Sequence, residues 1–211
     1  MRIRESRALR PSTQFPARQP LNYYDRDIAA QAIKILPGEF LATSRDVVMM
    51  TLLGSCVACC LHDPAIGAGG MNHFMLPEGG TGPVAESARY GVHAMEVLLN
   101  ELLKEGARRP RLQAKLFGGG NVLKGFTVGN VGEQNVRFVR EYLQREGIRV
   151  VSEDLLGNQP RKVAFYPATG KAMVKKLPPV QVHEVGRMET LYRNRLRETP
   201  VIHGAVEVFT S

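Results

Sequence analysis

The sequence predicts an α+β fold, a mixed and largely antiparallel β-sheet sandwich with helices packed on one side. Two observations support this prediction. Short apolar and β-branched runs follow one another as neighbouring hairpins rather than alternating strictly with helices, and two amphipathic helical patterns fall between these runs. At 211 residues the chain is long enough for one well-filled core and short for two, so we expect a single domain.

The first half of the chain is expected to hold the opening strands and one helix. Strands are expected within residues 33–50, on either side of a turn at Pro37-Gly38. A helix is expected from Pro83 to Gly106 because apolar residues recur there at spacings of three and four. These residues are Ala88, Val92, Met95, Leu99, Leu102 and Leu103.

The second half is expected to add a second helix and four strands. A strand at residues 113–117 runs into the glycines 118–120, which we expect to form a tight loop rather than a phosphate cradle, because no phosphate-binding motif follows. A helix with apolar residues within 136–143 ends at Gly147. The remaining strands are expected at residues 148–151 and in a hairpin of 162–166 with 172–177.

The two ends of the chain differ from its middle in composition. Residues 1–24, with prolines among arginines and polar residues, are expected to be a flexible basic extension. Residues 25–178 are expected to form the folded domain. Residues 179–211 are expected to be a C-terminal extension with a short helix within 188–196.

The net charge of +8 comes mostly from these ends. Residues 1–20 carry five arginines and one glutamate, residues 171–211 carry seven basic and four acidic groups, and residues 21–170 carry 16 basic and 15 acidic groups. The chain has no tryptophan and no clustering of basic with aromatic residues, the pattern typical of nucleic-acid binding. We therefore expect solvated tails and no nucleic-acid partner, with attraction of the tails to an acidic partner left open.

The cellular compartment is predicted from what the sequence lacks. No apolar run approaches the roughly 20 residues that a membrane-spanning helix needs, and the N-terminus lacks the apolar centre of a secretory signal. The three cysteines, all within residues 56–60, are too closely spaced for a disulfide framework, which favours a reducing compartment. We expect a cytoplasmic protein with no membrane insertion.

The most informative segment is TLLGSCVACCLHDPAIGAGGMNHFMLP, residues 51–77. Apolar runs at 47–61 and 71–76 flank turn residues, which is the pattern of a β-hairpin. With a turn centred on Pro64-Ala65, Cys56 lies directly opposite His73, with Cβ atoms about 5 Å apart. A thiol and an imidazole at that distance can act as a nucleophile and its base. We expect both to be open to an incoming side chain.

Three further residues could complete a catalytic site around Cys56. Gly54 and Ser55 break the strand directly before Cys56, and backbone amides at such a break can turn toward a reacting oxygen. The hydroxyl of Thr51 could accept the second N–H of His73 and hold the ring in its useful tautomer. Cys56, His73 and Thr51 each also have a structural alternative, because cysteine and a lone histidine often pack in cores and threonine is common in strands.

A metal site is the main rival for these cysteines. Cys56, Cys59, Cys60 and His62 offer soft ligands, with C-x-x-C spacing between the first two. Structural zinc normally uses two separated pairs of ligands, and no second pair follows. A strand also sends Cys59 and Cys60 to opposite faces, with Cys60 on the face of Cys56. We therefore expect no metal and no cofactor, with Cys59 and Cys60 filling the strand.

A family resemblance begins in this segment. LGSCVACCLHDP (53–64) followed by GGMNHFMLP (69–77) resembles CheD, the chemoreceptor glutamine deamidase of bacterial chemotaxis. The resemblance runs from about Ile33 to Leu177, and SEDLLG and FGGGN depart from it at Leu156 and Gly120, both in loops. Its other segments, in the same order and spacing, are RYGVHAMEVLLNELL (89–103), AKLFGGGNVL (114–123), NVRFVREYLQREGI (135–148) and RKVAFYPATGKAMVKKL (161–177).

The resemblance implies a cysteine-hydrolase-like fold and a hydrolase that converts glutamine side chains of methyl-accepting chemoreceptors to glutamate, with release of ammonia through a thioester. It implies Cys56 as the nucleophile, His73 as the base and Thr51 as the orienting residue. Backbone amides near Gly54 and Ser55 would stabilise the oxyanion. The resemblance further implies the cytoplasmic helices of chemoreceptors as substrates and the phosphatase CheC as a regulatory partner that docks over the active site.

Two other classes of function stay open at this point. A catalytically silent adaptor that binds receptors or CheC would leave Cys56 no more reactive than Cys59 and Cys60. A cysteine protease shares the nucleophile and the base but cuts its substrate. Deamidation instead adds about one mass unit and leaves the chain intact.

Overall fold

The structure is a computed structural model that describes residues 12–13, 21–76, 84–122, 131–178 and 182–198. Its strands are β1 (Ser12–Thr13), β2 (Leu21–Asp25), β3 (Ala30–Lys34), β4 (Glu39–Thr43), β5 (Val48–Leu53), β6 (Val57–Asp63), β7 (Ala68–Phe74), β8 (Gln113–Gly118), β9 (Arg149–Leu155), β10 (Arg161–Tyr166) and β11 (Lys171–Lys176). Its helices are α1 (Val84–Lys104), α2 (Val131–Arg145) and α3 (Val182–Glu198), with a 3-10 turn at Arg109–Arg111.

The strands form two sheets. One has six strands in the order β1-β4-β7-β6-β8-β9, and the other has five in the order β11-β10-β5-β3-β2. Pairing is antiparallel except between β3 and β5 and between β8 and β9. The predicted α+β fold with mixed, largely antiparallel sheets is confirmed.

The core has two main apolar layers. One lies between the sheets and includes Met49, Leu53 and Phe165. The other lies between the six-stranded sheet and helices α1 and α2, where residues such as Leu98 and Val139 are fully buried. The spacing of apolar residues along both helices places these residues on one stripe that faces the sheet. The predicted packing of these two helices on one side is therefore confirmed.

The predicted hairpin over residues 47–61 and 71–76 is only partly correct. Residues 48–53 form β5 in the five-stranded sheet, whereas residues 57–63 form β6 in the six-stranded sheet. The break at residues 54–56 therefore carries the chain from one sheet to the other. The apolar residues on either side of it resemble one strand because both strands are buried.

The predicted register of the hairpin is wrong by two residues. His73 pairs with Ala58 rather than lying opposite Cys56. The reason is the turn, which consists of residues 64–67 and ends at Gly67, whose φ of 62° suits a residue without Cβ. A shift of two preserves the alternation of faces, so Cys56 and His73 still face the space between the sheets.

The ends of the chain are more regular than predicted. β2 crosses the boundary predicted after residue 24, and β1 lies inside the predicted extension and pairs with β4. Residues 1–11, 14–20 and 199–211, which also belong to the predicted extensions, lie outside the described residues. Helix α3 is longer than the short helix predicted at 188–196. None of the described helices has the length and apolarity needed to cross a membrane.

Candidate active site

The crossing between the sheets, residues 54–56, is held by the glycine loop that follows β8. The N–H of Gly119 donates to the carbonyl oxygen of Cys56, and the N–H of Gly120 donates to that of Gly54, both at 2.7 Å. A Cβ at Gly118 would lie 2.1 Å from the Cys56 carbonyl oxygen, so only glycine allows this approach. The glycines form the predicted tight loop, and two of their amides are engaged in holding Cys56 in place.

Asn135 supports the same crossing and was not predicted from the sequence. Its side-chain amide donates to the carbonyl oxygen of Ser55 at 2.9 Å, and its Oδ1 accepts from the N–H of Leu76 at 2.8 Å. The residue is fully buried. A signal was present, because Asn135 lies four residues before Val139 on the apolar stripe of α2, where a polar residue needs a structural or functional reason.

Arg161 holds the glycine loop from the other side and was also not predicted. Its guanidinium donates to the carbonyl oxygens of Gly118 and Asp154, both at 2.7 Å, and also to that of Leu156. Only 2% of the residue is exposed. Successive side chains in a strand point to opposite faces, so Arg161 shares a face with the buried Val163. This spacing was the available sign that Arg161 is buried.

Thr51 and His73 meet between the sheets. The Thr51 hydroxyl donates to the carbonyl oxygen of Ile35 at 2.8 Å, and its oxygen lies 2.8 Å from Nδ1 of His73. Since the hydroxyl has a single proton, which it gives to Ile35, the oxygen accepts from an Nδ1–H. This arrangement leaves the lone pair of the imidazole on Nε2.

His73 is buried and has the properties of a neutral base. Burial lowers its pKa below the ordinary value, and this effect is opposed by the charge of Glu189 and by the hydrogen bond to Ile35. Nε2 of His73 is buried and has no hydrogen-bond partner among the described residues.

Cys56 is more enclosed than the sequence suggested. The expectation of a thiol open to an incoming side chain is contradicted, because both Cys56 and His73 are buried, with 0% and 1% exposed. Burial raises the pKa of the Cys56 thiol well above its ordinary value, and the negative charge of Glu189 with its hydrogen bond raises it further. Within the described residues the structure does not join Cys56 and His73 by a hydrogen bond.

The carboxylate of Glu189 in α3 binds the backbone of the crossing at Cys56. One carboxylate oxygen accepts from the N–H groups of Gly54 and Cys56, both at 2.9 Å. The other accepts from the N–H of Ser55 at 3.0 Å and from its hydroxyl at 2.8 Å. Three successive amides therefore converge on one anion. Sequence reasoning missed Glu189 because it treated the C-terminal extension as separate from the site.

The neighbouring cysteines lie in different layers. Cys59 packs between the six-stranded sheet and the helices, whereas Cys56 and Cys60 pack between the sheets. The C-x-x-C spacing therefore does not bring Cys56 and Cys59 together as ligands. Across the described ranges, no group of three or more His, Cys, Asp or Glu residues could hold a metal ion.

The chain matches a family model over part of its length. The model described as CheD chemotactic sensory transduction matches residues 75–176. This range contains Asn135, Arg161 and the glycine loop. It begins after Cys56 and His73 and ends before α3.

Curated relatives match over most of the chain. A probable chemoreceptor glutamine deamidase CheD from Methylobacillus flagellatus is 54% identical over 191 residues, covering 89% of this chain and 94% of that protein. The corresponding protein of Thiobacillus denitrificans is 53% identical over 190 residues, covering 89% and 94%. A probable chemoreceptor glutamine deamidase CheD 1 from Shewanella oneidensis is 50% identical over 204 residues, covering 95% and 98%.

Among solved structures, the hypothetical protein YfiH of Bacillus licheniformis aligns with a TM-score of 0.38 and 16% identity, covering 56% of this chain and 51% of that chain. A likeness at this level supports no conclusion about function. The sequence relatives are much closer. With 95% of the chain spanned, the alignment with the Shewanella protein includes both Cys56 and His73.

Proposed function

The chain belongs to the CheD family, and from this premise we propose that it deamidates glutamine side chains of chemoreceptors with Cys56 as the nucleophile. The observation that carries the proposal is the convergence of the backbone amides of residues 54–56 beside the thiol. Such preorganised donors stabilise the negative oxygen that forms when an amide carbon is attacked. The reaction is a hydrolysis of the side-chain amide.

The first half of the reaction forms a thioester. Nε2 of His73 takes the proton of the Cys56 thiol, and the sulfur attacks the amide carbon of the glutamine side chain. The carbonyl oxygen becomes an oxyanion held by the amides of residues 54–56. His73 then gives its proton to the leaving nitrogen, and the carbon–nitrogen bond breaks to release ammonia.

The second half regenerates the thiol. Water loses a proton to Nε2 of His73 and attacks the thioester carbon. The carbon–sulfur bond then breaks, His73 returns the proton to the leaving sulfur, and a glutamate side chain remains. Thr51 keeps Nδ1 as the protonated nitrogen throughout, so that Nε2 can exchange protons with Cys56. The low pKa of His73 keeps the ring neutral near neutral pH and able to accept a proton.

The absence of a hydrogen bond between Cys56 and His73 among the described residues is compatible with this chemistry. Catalytic hydrogen bonds are often long or poorly aligned until the substrate is bound. Here the Glu189 carboxylate accepts from the backbone N–H of Cys56, in the position that we assign to the substrate. We propose that the Cys56–His73 pair forms when a glutamine side chain replaces that carboxylate.

The relatives' names indicate chemoreceptors as the proteins acted upon. Each reaction would exchange an amide for a carboxylate on the cytoplasmic helices of a receptor and add negative charge. We propose that the protein works in the cytoplasm, where those helices lie. The family resemblance also supports CheC as a regulatory partner that docks over the active site.

Intact-mass analysis of a chemoreceptor cytoplasmic fragment tests this function. Incubation with the wild-type chain should add about one mass unit per modified glutamine and release one ammonia for each. Cys56→Ala should abolish both. Cys60→Ala, which changes a buried cysteine in the same layer, is the matched control and should retain activity.

Three other results would reject the assignment. Mass gain with Cys56→Ala would exclude Cys56 as the nucleophile. Shortened receptor fragments would indicate a protease. A wild-type chain that binds the fragment but leaves its mass unchanged would indicate the silent adaptor.

A further inference from the structure

Helix α3 is attached to the active site through its Glu189 side chain. The carboxylate accepts four hydrogen bonds, from the amides of Gly54, Ser55 and Cys56 and from the Ser55 hydroxyl, and only 1% of Glu189 is exposed. The three amides among these donors are the ones assigned above to the oxyanion of the reaction. One site cannot hold two groups, so Glu189 and a substrate glutamine exclude each other.

A second contact fixes the helix one turn later. The hydroxyl of Tyr192 is hydrogen-bonded to that of Tyr90 in α1, and Tyr192 is 4% exposed. Its ring lies against Gly38, where a Cβ would be 2.7 Å from the Tyr192 hydroxyl oxygen. Leu196, a further turn along, packs against the layer between the sheets. The helix therefore docks through one face, with Glu189 at the reacting centre.

The chemistry of the docked group matches the product of the proposed reaction. Deamidation converts a glutamine side chain to a glutamate side chain, and Glu189 is a glutamate side chain in contact with the proposed oxyanion donors. Products bind to the groups that stabilise the transition state, although less tightly. The strands of both sheets pair only with one another, so displacement of α3 would break no strand pairing.

We propose that α3 is an autoinhibitory helix that holds Glu189 in the active site as a built-in product analogue, and that α3 must be displaced before a receptor glutamine can bind. This inference rests on the proposed function of the Cys56 site. The closed form protects the thiol from solvent. A partner or a receptor helix that competes with α3 for the same surface displaces α3 and opens the active site.

Two readouts on the full-length chain test the inference. The first is the rate at which iodoacetamide alkylates Cys56, located by peptide mass analysis, which requires no catalysis. The second is deamidation of the receptor fragment. Glu189→Ala should increase both rates about tenfold or more, because loss of several charge-assisted hydrogen bonds favours the open form. Thr190→Ala, an exposed neighbour in α3, should change neither.

The two readouts separate failure of the inference from failure of the function. Unchanged alkylation and deamidation in a folded Glu189→Ala chain would overturn the inference and leave the function standing. Faster alkylation without deamidation in any variant would refute the function and keep Glu189 as the group that covers Cys56. Should Glu189→Ala not fold, Tyr192→Phe removes the hydrogen bond to Tyr90 and should also speed alkylation. An unchanged rate in that variant would count against the helix as a displaceable cover.

Discussion

The hydroxyl of Thr51 in one sheet lies 2.8 Å from Nδ1 of His73 in the other, so the two sheets meet in the hydrogen bond that sets the tautomer of the imidazole. Because the same hydroxyl donates to Ile35, the direction of this bond is fixed, with Nδ1 as the donor to Thr51. The sandwich therefore does more than build a core. It positions the nitrogen that would accept the proton of Cys56.

Removal of the Thr51 hydroxyl should reduce activity without preventing folding. Thr51→Val keeps the branched shape and removes the acceptor for Nδ1, and a lost buried hydrogen bond of about 1–3 kcal/mol corresponds to about 5–160-fold in kcat/KM. Thr51→Ser keeps the hydroxyl and should retain most activity. The measurement is the deamidation rate of the receptor fragment. Equal losses in the two variants would indicate that Thr51 acts only through packing.

The burial of His73 predicts a pH dependence of stability. Its pKa is lowered in the folded state, so the folded protein binds the proton less readily than the unfolded chain. Above about pH 6.5 His73 is neutral in both the folded and the unfolded chain, and its contribution to the free energy of unfolding is fully present. As the pH falls below that value and through the folded-state pKa, this contribution is lost, by up to about 1.4 kcal/mol per pH unit.

Urea unfolding of the wild type and His73→Gln between pH 7 and pH 5 measures this contribution. The difference in free energy of unfolding between the two proteins should shrink as the pH falls, because only the wild type carries His73. Gln134→Ala, a change at an exposed position in α2 that involves no titratable group, should show a constant difference. A constant difference for His73→Gln as well would contradict the assignment of a buried neutral imidazole.

The crossing at residues 54–56 should depend on Asn135. Asn135→Ala removes both the donor to Ser55 and the acceptor for Leu76, and leaves two buried backbone groups without partners. The expected loss is about 2–4 kcal/mol in the free energy of unfolding, together with lower deamidation activity. Gln134→Ala, the exposed neighbour in α2, should change the free energy by less than about 0.5 kcal/mol. Equal effects in the two variants would show that Asn135 does not support the crossing.

The sequence predicted the helices and strands better than it predicted how they are arranged in space. Periodicity located α1, α2 and the β10–β11 hairpin because each follows from local spacing of apolar residues. The crossing of the chain between sheets at residues 54–56 is a non-local event, since two buried strands in different sheets have the same composition as one. Thr51 and His73 were named as partners, yet their contact across two sheets required the tertiary structure.

The same limit explains why Glu189 and the register of the hairpin were not predicted. A glutamate in a polar C-terminal helix resembles any solvated residue until the helix is seen to dock. The register depended on whether the turn used two residues or the four at 64–67, and both choices keep the same faces. Sequence patterns thus named the thiol and the imidazole but not Glu189, whose carboxylate accepts from the amides of residues 54–56.

The charge of Glu189 predicts the pH dependence of Cys56 alkylation. Its negative charge and hydrogen bond raise the pKa of the thiol, so Glu189→Ala should move the midpoint of the alkylation rate to lower pH. Release of the thiol from burial would lower its pKa in the same direction, because burial is the larger cause of the raised pKa. Glu141→Ala, which removes an exposed carboxylate from α2, should leave the midpoint unchanged. An identical midpoint in Glu189→Ala would show that the carboxylate does not act on the thiol.

The position of Glu189 makes one substitution a test of the site on its own chain. Glu189→Gln places a substrate side chain against the amides of residues 54–56, beside the Cys56 thiol. If this is the position of a bound glutamine, Cys56 should attack it, release one ammonia per chain and restore a glutamate with a gain of about one mass unit. The conversion should follow first-order kinetics that do not depend on protein concentration, because nucleophile and amide belong to one molecule.

Peptide mass analysis at position 189 follows this conversion over time. Cys56→Ala combined with Glu189→Gln should keep the new amide, which shows that the conversion requires the thiol rather than spontaneous hydrolysis. Gln134, exposed in α2, is an internal control that should stay unmodified in the same sample. The contrary outcome is an unchanged glutamine at position 189 in a chain that still deamidates receptor fragments. That result would mean that the side chain at position 189 binds the backbone amides without occupying the place of the substrate, because a correctly placed glutamine beside an active thiol must react.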